Sequence, residues 1–224
     1  MVDTRDRLLT ATGELFRRQG YNGTSMKQVT VAAGVPFGSL YHFFPGGKGA
    51  LADAVIRTSG LAYQQLFELI YDSADDPATA VSDFFDGAAA VLEETDFIDA
   101  CPIGTVALEV ASTNDTLRQA TADVFEGWVC AVIERLVAAG IDAEKARELG
   151  TGLVAGVEGG FMLSRAAKSP EPMRTVGRLM RRLVEAEVAV VGSTLRSTSG
   201  TGADGVQPST ASGSSAAERT RRCR

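Results

Sequence analysis

Leu8, Thr12, Leu15 and Phe16 share one face at the i, i+4, i+7, i+8 spacing of a helix, with Arg5, Arg17 and Arg18 off it. Gly20 stops the run, so the pattern predicts a first helix over 4–19. Thr24 reads as the N-cap of a second helix over 25–33, with Gln28 near the position that completes a capping box. Gly34 suits a left-handed turn after it. Pro36 opens a short third helix over 37–44, which Pro45-Gly46-Gly47 ends. A fourth, over 48–71, carries Leu51, Ala54, Val55, Leu61, Leu66, Leu69 and Ile70 and stops at Asp75-Asp76-Pro77. Helices are further expected at 78–94, 103–111, 115–139, 143–168 and 171–191. No stretch shows the two-residue alternation of strands. The expected fold is all-α with about nine helices: a three-helix N-terminal unit over 1–47, a helical body over 48–192, and a Ser-, Thr- and Gly-rich tail over 193–224. The tail holds too little apolar surface to offset its ordering entropy and is expected to be disordered.

Composition narrows the function classes. With 45% hydrophobic and 22% charged residues the chain is an ordinary globular sequence. No apolar run approaches the ~18–20 residues of a membrane span, and the charged N-terminus lacks a signal-peptide pattern, so a cytoplasmic location is expected. His42 is the single histidine. It leaves a His-dependent metal site or triad without a second player, and no phosphate-cradling glycine loop, H-E-x-x-H or G-x-S-x-G is present. A helical enzyme is thereby disfavoured, and neither metal nor cofactor is expected. Cys101, Cys130 and Cys223 have no metal-type spacing and read as reduced thiols.

The net charge of −6 argues at first against nucleic acid. Its distribution does not. Residues 1–50 carry six Lys/Arg against three Asp/Glu, residues 51–192 carry 11 against 23, and the tail carries five against two. A positive end on an acidic body is the asymmetry expected if only the first segment meets phosphate; the basic end of the tail either touches DNA nonspecifically or is simply solvated.

Three short helices with a Gly-bearing turn between the second and third suggest a helix-turn-helix, with Val29, Ala33, Val35, Leu40 and Phe43 as its apolar positions. Thr24 and Ser25, at a helix start, can offer hydroxyls and backbone amides to a phosphate or serve as caps alone. Lys27 lies near the same end as a point charge. Gly38 leaves room for close approach to the groove, and Ser39 can bond a base edge or a phosphate. Phe37 either meets a thymine methyl or packs on the first helix.

These residues resemble a known family. Gly20-Tyr21-Asn22-Gly23-Thr24-Ser25-Met26, then Val29 and Ala33-Gly34-Val35, then Gly38 through Pro45, then Lys48 and Leu51, resemble the DNA-binding domain of TetR-family regulators over about residues 4–51. There are two departures: Thr30 stands where the family usually has a small Ala, and an extra residue in Pro45-Gly46-Gly47-Lys48 lengthens the connection to the fourth helix. That connection, with Cys101-Pro102-Ile103-Gly104 and the run from Ala107 to Val110, resembles the LmrA/YxaF-like branch. The resemblance implies that Tyr41, His42 and Lys48 contact the phosphate backbone of an operator duplex. It also implies that the body dimerises and binds a small amphiphilic or aromatic effector.

Under this resemblance the last two helices form a homodimer interface. Gly152, Gly156, Gly159 and Gly160 would allow close approach, and Leu179, Leu183, Ala186 and Val190 form an apolar stripe, unless both pack only within one subunit. A ligand cavity is expected among Tyr63, Phe67, Phe84, Phe97, Val106, Glu109, Phe125, Trp128 and Met162. Glu109 and Glu158 either orient a cationic or hydroxylated ligand or are exposed or paired. Cys101 is a redox sensor or an inert buried thiol. The expected function is a ligand-responsive repressor released from a palindromic operator, with an activator of the same fold as the alternative.

Overall fold

The structure, a computed structural model, describes residues 3–198, with side chains through 192. Among them the chain forms α1 (Thr4–Gln19), α2 (Met26–Ala33), α3 (Phe37–Phe43), α4 (Gly47–Ser73), α5 (Pro77–Glu94), α6 (Pro102–Val110), α7 (Asp115–Ala138), α8 (Ala143–Ala167) and α9 (Glu171–Thr198). Most ends carry the local chemistry that sets them. Asp76 accepts from the amides of Ala78 and Thr79 ahead of Pro77 at the start of α5, and Asn114 and Asp142 cap α7 and α8. α9 outruns its expected end at 191 and takes in residues 193–198 of the segment expected to be disordered. The rest of that tail, with Cys223, lies outside the described residues.

Two buried cores organise the molecule. The first joins Leu8 and Phe16 of α1, Val29 of α2, Leu40 of α3 and Leu51, Val55 and Ile56 of α4 to Ile103, Val106 and Val110 of α6. The second joins α5, α7, α8 and α9 through Phe85, Leu92, Leu136, Leu149, Met173 and Val184. Phe161 of α8 packs against both. α4 therefore belongs to the first core through its N-terminal half, and its C-terminal half projects toward the second. Burying each large apolar side chain stabilises the fold by about 1.5–3 kcal/mol.

The glycines of α8 have a different use from the expected one. A Cβ on Gly152 would meet Met180 Cε at 3.2 Å, one on Gly156 would meet Val176 Cγ1 at 2.9 Å, and one on Gly160 would meet Met173 Sδ at 2.6 Å. These three let α8 lie close on α9 of the same chain and so do not face a partner. Gly159 alone has open space before it.

Candidate DNA-reading surface and effector cavity

The turn from α2 to α3 is built from its backbone outward. Gly34 is left-handed (φ 62°, ψ 40°), and the amide of Val35 returns to the carbonyl of Thr30 at 3.0 Å. Arg7 of α1 donates to the Gly34 carbonyl at 2.9 Å and ties the turn to the first helix. Thr30 is accommodated: it is buried, and its hydroxyl donates to the Lys27 carbonyl at 3.1 Å. Ser25, rather than Thr24, caps α2. Its hydroxyl accepts from the Gln28 amide while the Gln28 side chain accepts from the Ser25 amide at 2.8 Å. Thr24 is only 2% exposed and donates to the Gly20 carbonyl at 2.7 Å, so its side chain is not offered to a phosphate.

The outer face of α3 is open. Phe37 and Tyr41 are 50% and 47% exposed and meet edge to face at 5.6 Å. Gly38 and His42 are exposed and Ser39 is half-buried beside them, while Leu40 points into the core. Half of the Phe37 surface thus stays open to solvent. Ser25 and Lys27 stand exposed at the start of α2. The lengthened connection after α3 is absorbed at Gly47, which takes φ +67° and places Lys48 at the start of α4. A Cβ on Gly47 would touch the Tyr41 ring at 3.8 Å. The Lys48 ammonium lies over the Tyr21 ring at 4.3 Å from its centroid. Desolvation lowers its pKa, against the opposing pull of Glu109.

Glu109 is not in a cavity. At the far end of α6 its carboxylate accepts from the amides of Tyr21 (3.1 Å) and Asn22 (2.6 Å), clasping the connection between α1 and α2. Periodicity gives no sign of this contact, because its partners are backbone groups 88 and 87 residues away in sequence.

A cavity of about 580 Å³ opens between the cores. Tyr63, Gln64, Leu66, Phe67 and Ile70 of α4 form one wall, and Val81, Phe84, Ala88 and Val91 of α5 form another. Trp128 and Val132 of α7, Leu153, Val154, Val157, Glu158 and Phe161 of α8, and Arg17, Asp99 and Cys101 complete it. Of the expected ligand residues, Tyr63, Phe67, Phe84 and Trp128 line it. Phe97, Val106, Glu109, Phe125 and Met162 do not. Phe97 has left-handed backbone and packs beneath Lys168 at the end of α8. Val106 is fully buried in the first core, Phe125 stands behind Trp128 at 5.5 Å, and Met162 is 60% exposed on the outer side of α8. Sequence reasoning missed Arg17, Gln64, Asp99 and Phe161. Asp99 lies two residues before Cys101, which was the one available signal for that part of the wall.

The polar groups of the cavity are mostly committed. Arg17 and Arg18 donate to Asp99 at 3.1 and 3.2 Å. Trp128 donates from its indole nitrogen to the Gly60 carbonyl of α4 at 2.8 Å, and Gln64 donates to Glu68 at 2.9 Å. Glu158 differs: its Oε1 is buried without a hydrogen-bond partner. Burial pushes its carboxyl above the ordinary carboxylate range, opposed by a hydrogen bond from the Cys101 thiol. Burial, then the neighbouring Glu158, pushes that thiol well above the usual range for cysteine, which disfavours the reactive thiolate. Among the described residues no group of His, Cys, Asp and Glu could hold a metal ion, and no helix is long and apolar enough to cross a membrane.

Comparison with known proteins agrees with this architecture. Residues 8–55 match the family described as bacterial regulatory proteins, tetR family. Residues 77–179 match the C-terminal domain described as transcriptional regulator LmrA/YxaF-like. The chain is 34% identical to the uncharacterized HTH-type transcriptional regulator YxaF of Bacillus subtilis over 81% of its length and 95% of the relative's. It is 32% identical to the HTH-type transcriptional regulator LmrA of the same organism, over 76% and 91%. A TetR regulatory protein from Rhodobacter sphaeroides shares the fold at a TM-score of 0.72 and 22% identity, covering 80% of this chain and 97% of that one. So does the TetR-family regulator CifR, in a structure with 26-base-pair operator DNA, at a TM-score of 0.67 and 21% identity, covering 80% and 95%.

Proposed function

Given that this chain belongs to the TetR family of regulatory proteins and is a DNA-binding transcriptional regulator, we propose that it acts as a ligand-responsive repressor, not an enzyme, and as a homodimer on a palindromic operator. The observation that carries this reading is the double attachment of α4 and α6. α4 runs from Lys48 and the first core to the cavity wall at Tyr63–Ile70. α6 runs from Cys101 at the cavity to Glu109 on the α1–α2 connection. A molecule that prefers one setting of these helices biases the position of α3. Its effect on DNA affinity equals its differential affinity for the two settings.

In this reading Phe37, Gly38 and Ser39 face base edges, and Ser25, Lys27, Tyr41, His42 and Lys48 hold the phosphates. Two copies of α3 must lie about one helical turn of DNA apart, ~34–36 Å. The exposed stripe of Leu179, Leu183 and Val190 on α9 supports dimerisation, beside Met162 and the unobstructed Gly159 on α8. These side chains would be buried between two copies. Gel-shift titration against the DNA upstream of the chain's own coding sequence, at two salt concentrations, tests the reading. Binding should weaken with salt and with Tyr41→Ala and His42→Ala, and Lys48→Ala should also make the salt dependence shallower. Failure both there and in broad operator selection would sink it.

A further inference from the structure

The cavity has one carboxyl oxygen that nothing answers. Its walls are largely apolar, and five ring systems contribute to them: Tyr63, Phe67, Phe84, Trp128 and Phe161. Arg17, the single cationic side chain in the lining, is already paired with Asp99. That leaves Glu158, whose Oε1 has no partner.

The position of this carboxylate is built rather than incidental. A Cβ at Gly104 would overlap the Glu158 carboxylate, so the glycine in the first turn of α6 makes its place. The Cys101 thiol, at the N-cap of the same helix, supplies one hydrogen bond. A carboxylate held in apolar surroundings with a free lone pair is costly unless something pairs with it. Aromatic ring faces attract cations and repel anions, and so add to the carboxylate's preference. About 580 Å³ is an ordinary size for a small-molecule site.

We infer that the cavity takes an organic cation with aromatic or comparable apolar bulk, its positive charge placed on the Glu158 carboxylate. This rests on the effector reading above and names the chemistry of the effector. Neutral hydrogen-bond donors could also satisfy Oε1, so the test separates charge from shape. Isothermal titration of the full-length protein compares tetraphenylphosphonium with tetraphenylborate, of the same size and shape but opposite charge, and with neutral triphenylphosphine oxide. The cation should bind at least about thirtyfold tighter than either, as expected when one partner of a buried charge pair is missing. Glu158→Gln should remove that preference while leaving any binding of the oxide unchanged. Gly104→Ala keeps the carboxylate but displaces it. The added methyl favours the helix, so the variant should stay folded and lose roughly tenfold in cation affinity.

Comparable affinity for all three probes, or cation binding untouched by Glu158→Gln, would overturn the inference. So would failure of all three to bind. In that event the effector reading still stands or falls separately, on whether neutral or anionic compounds release operator DNA in the gel shift.

Discussion

The helix-turn-helix and the cavity treat their polar groups in opposite ways. Around α1–α3 the local demands are met from within the chain: Ser25 and Gln28 cap one another, Arg7 holds Gly34, Thr30 returns to Lys27, and Glu109 takes two backbone amides. In the cavity one carboxylate oxygen is left over. Satisfied polar networks rigidify a structure, and incomplete ones cost stability until completed. The reading surface is thus pre-organised, and the cavity is finished by what enters it.

The contrast is sharpest in the sign of stability effects, and the largest should come from the shared first core. Phe16→Ala removes a side chain only 1% exposed and should cost about 3–5 kcal/mol in chemical denaturation, taking DNA binding with it. Glu109→Ala strands the amides of Tyr21 and Asn22. It should cost about 1–3 kcal/mol and weaken operator binding without changing affinity for a cavity ligand, read by gel shift and calorimetry. Gly34→Ala forces an L-residue into the left-handed turn and should cost about 1–2 kcal/mol.

Glu158→Gln should do the reverse and raise the melting temperature at neutral pH. The folded pKa of Glu158 lies above its unfolded value, so the native state holds the extra proton between the two. Wild-type stability therefore falls as pH rises through that window. Cys101, its titratable neighbour, is pushed up by burial and stays neutral across it. The advantage of the variant should be full above the window and vanish toward acid pH. A melting temperature lowered at every pH would place Glu158 with the satisfied groups and erase the comparison.

Helix limits were legible because punctuation is local: Pro77, Pro102, Gly20 and Gly34 mark ends by their own backbone preferences, and most ends were placed within two residues. Inside and outside were harder. α8 carries two small or apolar stripes, and which one meets α9 depends on the shape of α9. Hence spacing alone turns Gly152, Gly156 and Gly160 toward a partner and Met162 toward a ligand, while the packing puts the three glycines on α9 and Met162 at the surface. Thr24 and Ser25 are both competent caps, and only the burial of the first decides between them. Glu109 and Glu158 have the same appearance, an acid within an apolar run. One reaches two backbone amides far away in sequence and the other meets a single thiol and keeps an unpartnered oxygen, a difference set wholly by tertiary placement.

The placement of Trp128 has an optical consequence. It is the single tryptophan in the sequence, its ring lines the cavity, and its indole N–H is held by Gly60 on α4. Indole emission shifts with local polarity and is quenched by close contacts, so the chain has a native fluorophore at the joint between cavity and lever. Occupancy of the cavity and displacement of α4 would both register in one spectrum. Only the second should also respond to operator DNA.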